Sequence, residues 1–198
     1  MANLVDRDGE VYLFADFIRP AEADRLFEQL REELAWRQES LVIAGRRVAV
    51  PRLVCWYGDP GMGYRYSGVD HEPQPWTTTL RTLKGRVEAQ CGRRFNGVLG
   101  NFYRDGQDSM GWHADREPEL GPAPFIASLS FGAARRFELR HNRSHEILSL
   151  PLSHGSLLVM GGPLQHHWRH RVPKDPAVRG ARINLTFRTI VGTPPRIP

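Results

Sequence analysis

Residues 182–188 run Arg182-Ile183-Asn184-Leu185-Thr186-Phe187-Arg188. Apolar Ile183, Leu185 and Phe187 alternate with Arg182, Asn184, Thr186 and Arg188, the period of two that sorts side chains onto the two faces of a β-strand. Alternation alone describes a half-buried strand with a solvated polar face. The chemistry of the polar face suggests more. A guanidinium is a planar fork matched to a carboxylate, so two arginines on one strand could hold a dicarboxylate at both ends.

Upstream of this strand the chain keeps the same texture. Strand-like stretches at Gly97–Tyr103, Phe125–Phe131, Arg136–Arg140, Glu146–Leu150, Ser156–Met160 and His166–His170 lead to Ile183–Ile190, separated by Gly, Pro and Asn. Short strands at such spacing predict an antiparallel sandwich or barrel. Before Phe95 the pattern differs. A strand around Val11–Phe14 precedes a helix over Ala21–Trp36, with Leu26, Phe27, Leu30 and Leu34 at helical spacing and Pro20 at its start. A second helix fits Trp76–Gln90 through Leu80, Leu83 and Val87, and Ser40–Tyr57 reads as a hairpin turning at Gly45-Arg46. The expected class is α+β, with a double-stranded β-helix (jelly roll) core behind N-terminal helices.

With 198 residues, 40% hydrophobic and 25% charged, one domain with one core is expected. It divides into N-terminal helices and hairpin (1–95), the jelly-roll core (96–191) and a Pro-rich tail (192–198). No apolar run reaches the roughly 18 residues of a membrane span, and the start MANLVDRDGE lacks the features of a signal peptide, so a cytoplasmic location and no membrane are expected. Cys55 and Cys91 lie far apart without CxxC spacing, which argues against a disulfide framework or a zinc site. The net charge of +5 makes phosphate-bearing partners plausible without identifying one.

The segment Gly111-Trp112-His113-Ala114-Asp115 sets an imidazole and a carboxylate on one face of an extended chain. A third donor is available in His166-His167-Trp168-Arg169-His170. Two histidines and one carboxylate form the facial set of non-haem iron(II) enzymes, which leaves positions open for substrate and oxygen. By strand alternation His166 and His170 share a face, and His167 points the other way.

His113-x-Asp115, a later His170, and Arg182-x-Asn184-x-Thr186-Phe187-Arg188 together resemble the signature of the AlkB family of iron(II)- and 2-oxoglutarate-dependent dioxygenases. The resemblance runs from Pro51-Arg52 through Trp56-Tyr57-Gly58 and Asn101-Phe102-Tyr103 to Thr189. IASLSFGA and WRHRVPK are most similar to the branch acting on single-stranded nucleic acid. The resemblance implies iron(II) at His113, Asp115 and His170, the last favoured over His166 because it stands just before Val172-Pro173. It implies 2-oxoglutarate at Asn101, Tyr103, Arg182, Asn184 and Arg188, with Arg182 and Tyr103 at the distal carboxylate and Arg188 near the chelating one. His71, His141, His145 and His154 are left as surface or core histidines. The implied reaction consumes O2 and 2-oxoglutarate and releases succinate and CO2. It hydroxylates an N-alkyl carbon of a base of the 1-methyladenine or 3-methylcytosine type, and collapse of the hemiaminal frees the base and an aldehyde.

On the substrate side, Tyr64-Arg65-Tyr66-Ser67-Gly68 resembles the segment lining the family's base pocket, with Tyr66 stacking on the lesion; the alternative is aromatic core filling. Tyr64, Ser67 and Glu117 join it as implied base contacts. The hairpin Ser40–Val54 resembles the family's lid, but its tip, Ile43-Ala44-Gly45-Arg46-Arg47, lacks an aromatic wedge, and the loop His141–His145 is brief. Alkylated single-stranded DNA or RNA is therefore expected over duplex DNA, with the protein a monomer. Arg135, Arg136, Arg140 and Arg143 either track phosphates or form a solvated face. Competing readings are a dioxygenase of protein or lipid, a catalytically silent nucleic-acid-binding jelly roll, and a cupin-type metal protein without 2-oxoglutarate.

Overall fold

The computed structural model describes residues 2–43, 45–66 and 69–191. In chain order the elements are β1 (Glu10–Phe14), α1 (Pro20–Glu33), β2 (Arg37–Ile43), β3 (Arg46–Gly58), β4 (Tyr64–Tyr66), β5 (Val69–His71), α2 (Thr78–Cys91), β6 (Gly97–Tyr103) and β7 (Met110–His113). There follow β8 (Ile126–Gly132), β9 (Arg135–His141), β10 (Ile147–Leu152), β11 (Leu157–Gly161), the single helical turn α3 (Leu164–His167), β12 (Trp168–Val172) and β13 (Arg182–Arg188).

Pro20 opens α1, where a missing N–H costs nothing because the first amides of a helix have no partner anyway. The helix ends at Glu33 rather than reaching Trp36, because Leu34 turns extended and is itself buried. Trp36 then packs against Phe102, with ring centroids 5.5 Å apart. Thr77 caps α2 by accepting the Leu80 amide, and Gly92 ends that helix in the left-handed conformation that glycine adopts without strain.

Among the described residues, the strands form a sheet of order β1-β11-β8-β13-β6-β3-β2, a smaller one of order β10-β9-β12-β7, and the pair β4-β5. The pairings within both larger sheets are antiparallel, and the mixed architecture is the expected jelly-roll core with its helices. Pro151 falls inside β10, which is tolerated because β10 is an edge strand and loses no ladder bond on its open side.

Two apolar layers result. Ile183, Leu185 and Phe187 pack with α1 and α2 residues such as Leu30, Leu80 and Leu83 on one side of the large sheet. Tyr103, Phe137, Leu139, Leu158 and Trp168 fill the space between the two sheets. β8 and β6 pair with both edges of β13, the helices cover its apolar face and the small sheet its polar one, so all seven of its residues are buried. The solvated polar face that alternation suggests for this strand is therefore absent; its polar side faces inward.

A second departure concerns His166–His170. Gly162 in the left-handed conformation and Pro163 turn the chain off β11 into α3, so residues 164–167 are helical and the strand begins only at Trp168. Strand alternation cannot be extended back to His166.

Candidate active site

β12 pairs antiparallel with β7 so that His170 stands directly opposite His113, their rings 4.1 Å apart. Asp115 follows β7 and is buried. Ligand atoms of His113, Asp115 and His170 all lie within 4.8 Å of one another.

The surroundings orient each donor. His113 Nδ1 lies 2.9 Å from the Gly111 carbonyl oxygen, which can only accept, so Nδ1 carries the proton and Nε2 keeps its lone pair. The Asp115 amide donates to Gln165 Oε1, and Arg188 Nη2 donates to Asp115 Oδ2 at 3.0 Å. Burial alone raises the Asp115 carboxyl pKa, but Arg188, His170 and His113 outweigh it and hold the group below its usual range. Burial, then His113, pushes His170 down to about 3, leaving it neutral, the form that binds metal.

The inward side of β13 continues the same cavity, which Asn101, Tyr103, Arg182, Asn184 and Arg188 all line together with the triad. Arg182 pairs directly opposite Tyr103 of β6, its Cζ 5.1 Å from the ring centroid, and donates one hydrogen bond to Ser130 Oγ at 3.0 Å. Its Nε and Nη1 have no hydrogen-bond partner among the described residues. Burial draws the Arg182 pKa below that of a free guanidinium. A buried cation without a counter-charge is costly, so this corner suits an anion. Asn184 donates to Ser128 Oγ and Leu129 O, and Asn101 Oδ1 accepts from Arg52 Nε at 2.7 Å.

His166, as expected, is not part of this cluster. His166 is exposed with its ring against the Pro122 carbonyl, away from the triad. His167 groups instead with His141 and Asp8. Arg135 does not reach solvent to track phosphates: it is buried and donates to the carbonyls of Asp105, Asp108 and Pro173. Glu117 leads into a short 3-10 turn over Pro118–Leu120, and its buried Oε2 has no partner among the described residues. Tyr64 and Tyr66 share β4, paired with His71 and Val69 of β5; Ser67 lies outside the described residues, as does the tail 192–198. Sequence reasoning missed Gln165 and Ser130 as supports of Asp115 and Arg182, because only the fold brings them there.

Residues 10–188 match the model of the 2OG-Fe(II) oxygenase superfamily. The chain is 44% identical over 218 aligned positions to the human "Alpha-ketoglutarate-dependent dioxygenase alkB homolog 3", covering 99% of this chain and 76% of that protein. The chain belongs to the AlkB family. Human "DNA oxidative demethylase ALKBH2" is 41% identical over 184 positions, covering 87% of this chain and 70% of that one. A solved structure described as "The structure of OsALKBH1" superposes with a TM-score of 0.64 over 93% of this chain and 100% of its own; at 18% identity it attests the fold alone.

As an AlkB-family dioxygenase the protein uses iron(II), 2-oxoglutarate and O2. Its cavity fits them. Asp115 Oδ1 and His170 Nδ1 are buried and lack hydrogen-bond partners among the described residues, and the cavity they line also takes in Arg182 with its unmatched nitrogens. Two imidazoles and a carboxylate suit iron(II), and a buried guanidinium suits a carboxylate of the keto acid. No helix among the described residues is long and apolar enough to cross a membrane.

Proposed function

We propose that this AlkB-family dioxygenase removes small N-alkyl groups from nucleic-acid bases, as in 1-methyladenine or 3-methylcytosine, and acts on single-stranded DNA or RNA in preference to duplex. The observation that carries the reading is one cavity lined by both a His-His-Asp cluster and an unmatched arginine, in a chain similar to proteins named DNA oxidative demethylase.

His113, Asp115 and His170 hold the iron. Arg188 steadies Asp115 through its ion pair and would meet the carboxylate of the keto acid nearer the metal, and Arg182, against Tyr103, would take the distal one. Asn101 and Asn184 complete that wall. When bound, the metal, O2 and 2-oxoglutarate supply the oxidation that hydroxylates an N-alkyl carbon and release succinate and CO2. The hydroxylated product sheds an aldehyde and the repaired base. Tyr66, with Tyr64, Ser67 and Glu117, receives the base, which must leave any stack to reach the cavity.

The lean to single strands is supported by two tight connections, the β2–β3 turn at Gly45 and the Asn142–Glu146 link between β9 and β10, closed by bonds from the His141 amide to Glu146 O and from the His145 amide to His141 O. Such turns leave little chain to grip a complementary strand. The same reading takes the protein as a single-domain cytoplasmic monomer, which light scattering checks for oligomeric state.

Mass spectrometry of methylated oligonucleotides, single- and double-stranded, DNA and RNA, tests the proposal. Loss of methyl from the base with stoichiometric succinate is expected, faster on single strands. Tyr66→Ala should lose about 1–3 kcal/mol of substrate binding, roughly tenfold to a hundredfold in KM, whereas Tyr66→Phe keeps the stacking ring and should be nearly silent. Succinate release that no methylated oligonucleotide stimulates would leave the dioxygenase standing and remove the nucleic-acid assignment.

A further inference from the structure

The outer face of the small sheet, turned away from the cavity, carries a concentration of arginine that the catalytic reading does not use. Along β9, Phe137 and Leu139 point into the core, so Arg136, Glu138 and Arg140 point out; along β12, Trp168, His170 and Val172 point in, so Arg169 and Arg171 point out. Arg169 stands directly opposite Arg140, and Arg171 opposite Glu138. Trp112, on the edge strand β7, covers the same surface: Arg140 Cζ lies 4.7 Å and Arg171 Cζ 4.4 Å from its ring centroid.

Glu138 is the carboxylate among them, and it is taken twice, by Arg171 Nε at 2.6 Å and Arg136 Nε at 3.3 Å. Arg140 and Arg169 have no ion pair among the described residues, although like charges directly opposite on neighbouring strands repel. Four arginines against one glutamate make this face a positive field that a polyanion would relieve. The tryptophan between guanidinium groups adds flat stacking surface, the second ingredient of a single-strand track. Its place in the chain matters too: Trp112 is the residue before His113, so the edge of β7 separates the track from the cavity by the thickness of one strand.

We propose that the outer face of the small sheet, formed by Arg136, Arg140, Arg169, Arg171 and Trp112, is the path of the single strand flanking the alkylated base. The strand crosses the edge of β7, presents one base to the cavity, and lays its neighbouring phosphates on the arginines. This rests on the nucleic-acid reading above and extends it, since it gives the protein a grip on the single strand that needs no complementary strand.

The test compares the parent with the double variant Arg140→Ala/Arg169→Ala, checked for an unchanged melting temperature. Binding of an unmodified oligothymidylate of about twelve nucleotides is measured by fluorescence anisotropy across a salt series, and turnover is measured on a methylated strand of that length and on a methylated trinucleotide. Each single-strand phosphate that an arginine no longer neutralises lowers the slope of log K against log salt by about 0.7, so the double variant should drop by about 1.4 and bind the long strand roughly tenfold or more weakly at low salt. The trinucleotide, with only its two internal phosphates to offer the face, should lose much less than the long strand. An unchanged salt slope, or an equal loss on the trinucleotide, overturns the track while leaving dealkylation intact. Polyglutamate displacing the oligonucleotide as well as nucleic acid does would assign the face to any polyanion, acidic protein included, and overturns it also. A parent that turns over no methylated strand removes the nucleic-acid reading and this one together.

Discussion

Two arginine-bearing strand surfaces in this protein have similar alternation and opposite physics. On β13, Arg182 and Arg188 face the space between the sheets and are buried; on β9 and β12, Arg136, Arg140, Arg169 and Arg171 face outward and keep contact with solvent. Burial makes an arginine selective. Arg188 is committed to Asp115, and Arg182 keeps two nitrogens for a ligand of fixed shape, because an unpaired buried charge is too costly to leave without a purpose. Exposure makes an arginine tolerant, since its attraction is long-ranged, screened by salt and indifferent to the shape of the anion. The inner surface suits one small dicarboxylate and a metal; the outer suits a chain of phosphates.

Breaking the inner surface at the triad should produce the largest effect. His113→Ala, Asp115→Ala and His170→Ala are each expected to lose iron-dependent turnover and bind iron(II) far more weakly. Removing even a supporting partner of a metal ligand costs about 10–100-fold in affinity, and removing a ligand itself exceeds that. His166→Ala should keep both, because its ring rests on the Pro122 carbonyl outside the triad. Iron titration followed by succinate release checks the four variants, and the reverse order for His166 and His170 would reassign the ligand.

Arg182→Met, of similar volume and uncharged, should leave iron bound while raising the KM for 2-oxoglutarate about tenfold to a hundredfold, the value of one or two hydrogen bonds to a charged group. An unchanged KM would mean that the unmatched nitrogens of Arg182 serve some other anion. Iron and co-substrate binding are thus separable along one strand.

Two adjacent residues sharpen the contrast without touching the chemistry. Arg135 is buried and satisfies three backbone carbonyls, so Arg135→Ala should destabilise by roughly 3 kcal/mol or more, about 6–12 °C in melting temperature for a domain of this size. Arg136, half exposed beside Glu138, should cost under about 1 kcal/mol on the same substitution. Thermal unfolding decides the matter; equal shifts would show that the inside and outside of β9 have been assigned wrongly.

Local pattern in the sequence determined a good deal. The period of two in residues 182–188 fixed a strand and sorted its arginines onto one face, Pro20 marked the start of α1, and the His113-x-Asp115 spacing put two donors side by side, because these features depend only on the few residues nearest in the chain. Which face of β13 is inward was not legible, since alternation says what shares a face and never what covers it. A second sheet covers the polar one. The histidine standing beside His113 and Asp115 is His170 because β12 begins only after the turn of α3 and pairs with β7 in that register, a long-range event that no spacing encodes. Arg135 and Arg136 look alike in the sequence, and tertiary structure separates them, burying one against three carbonyls and leaving the other on the outer face.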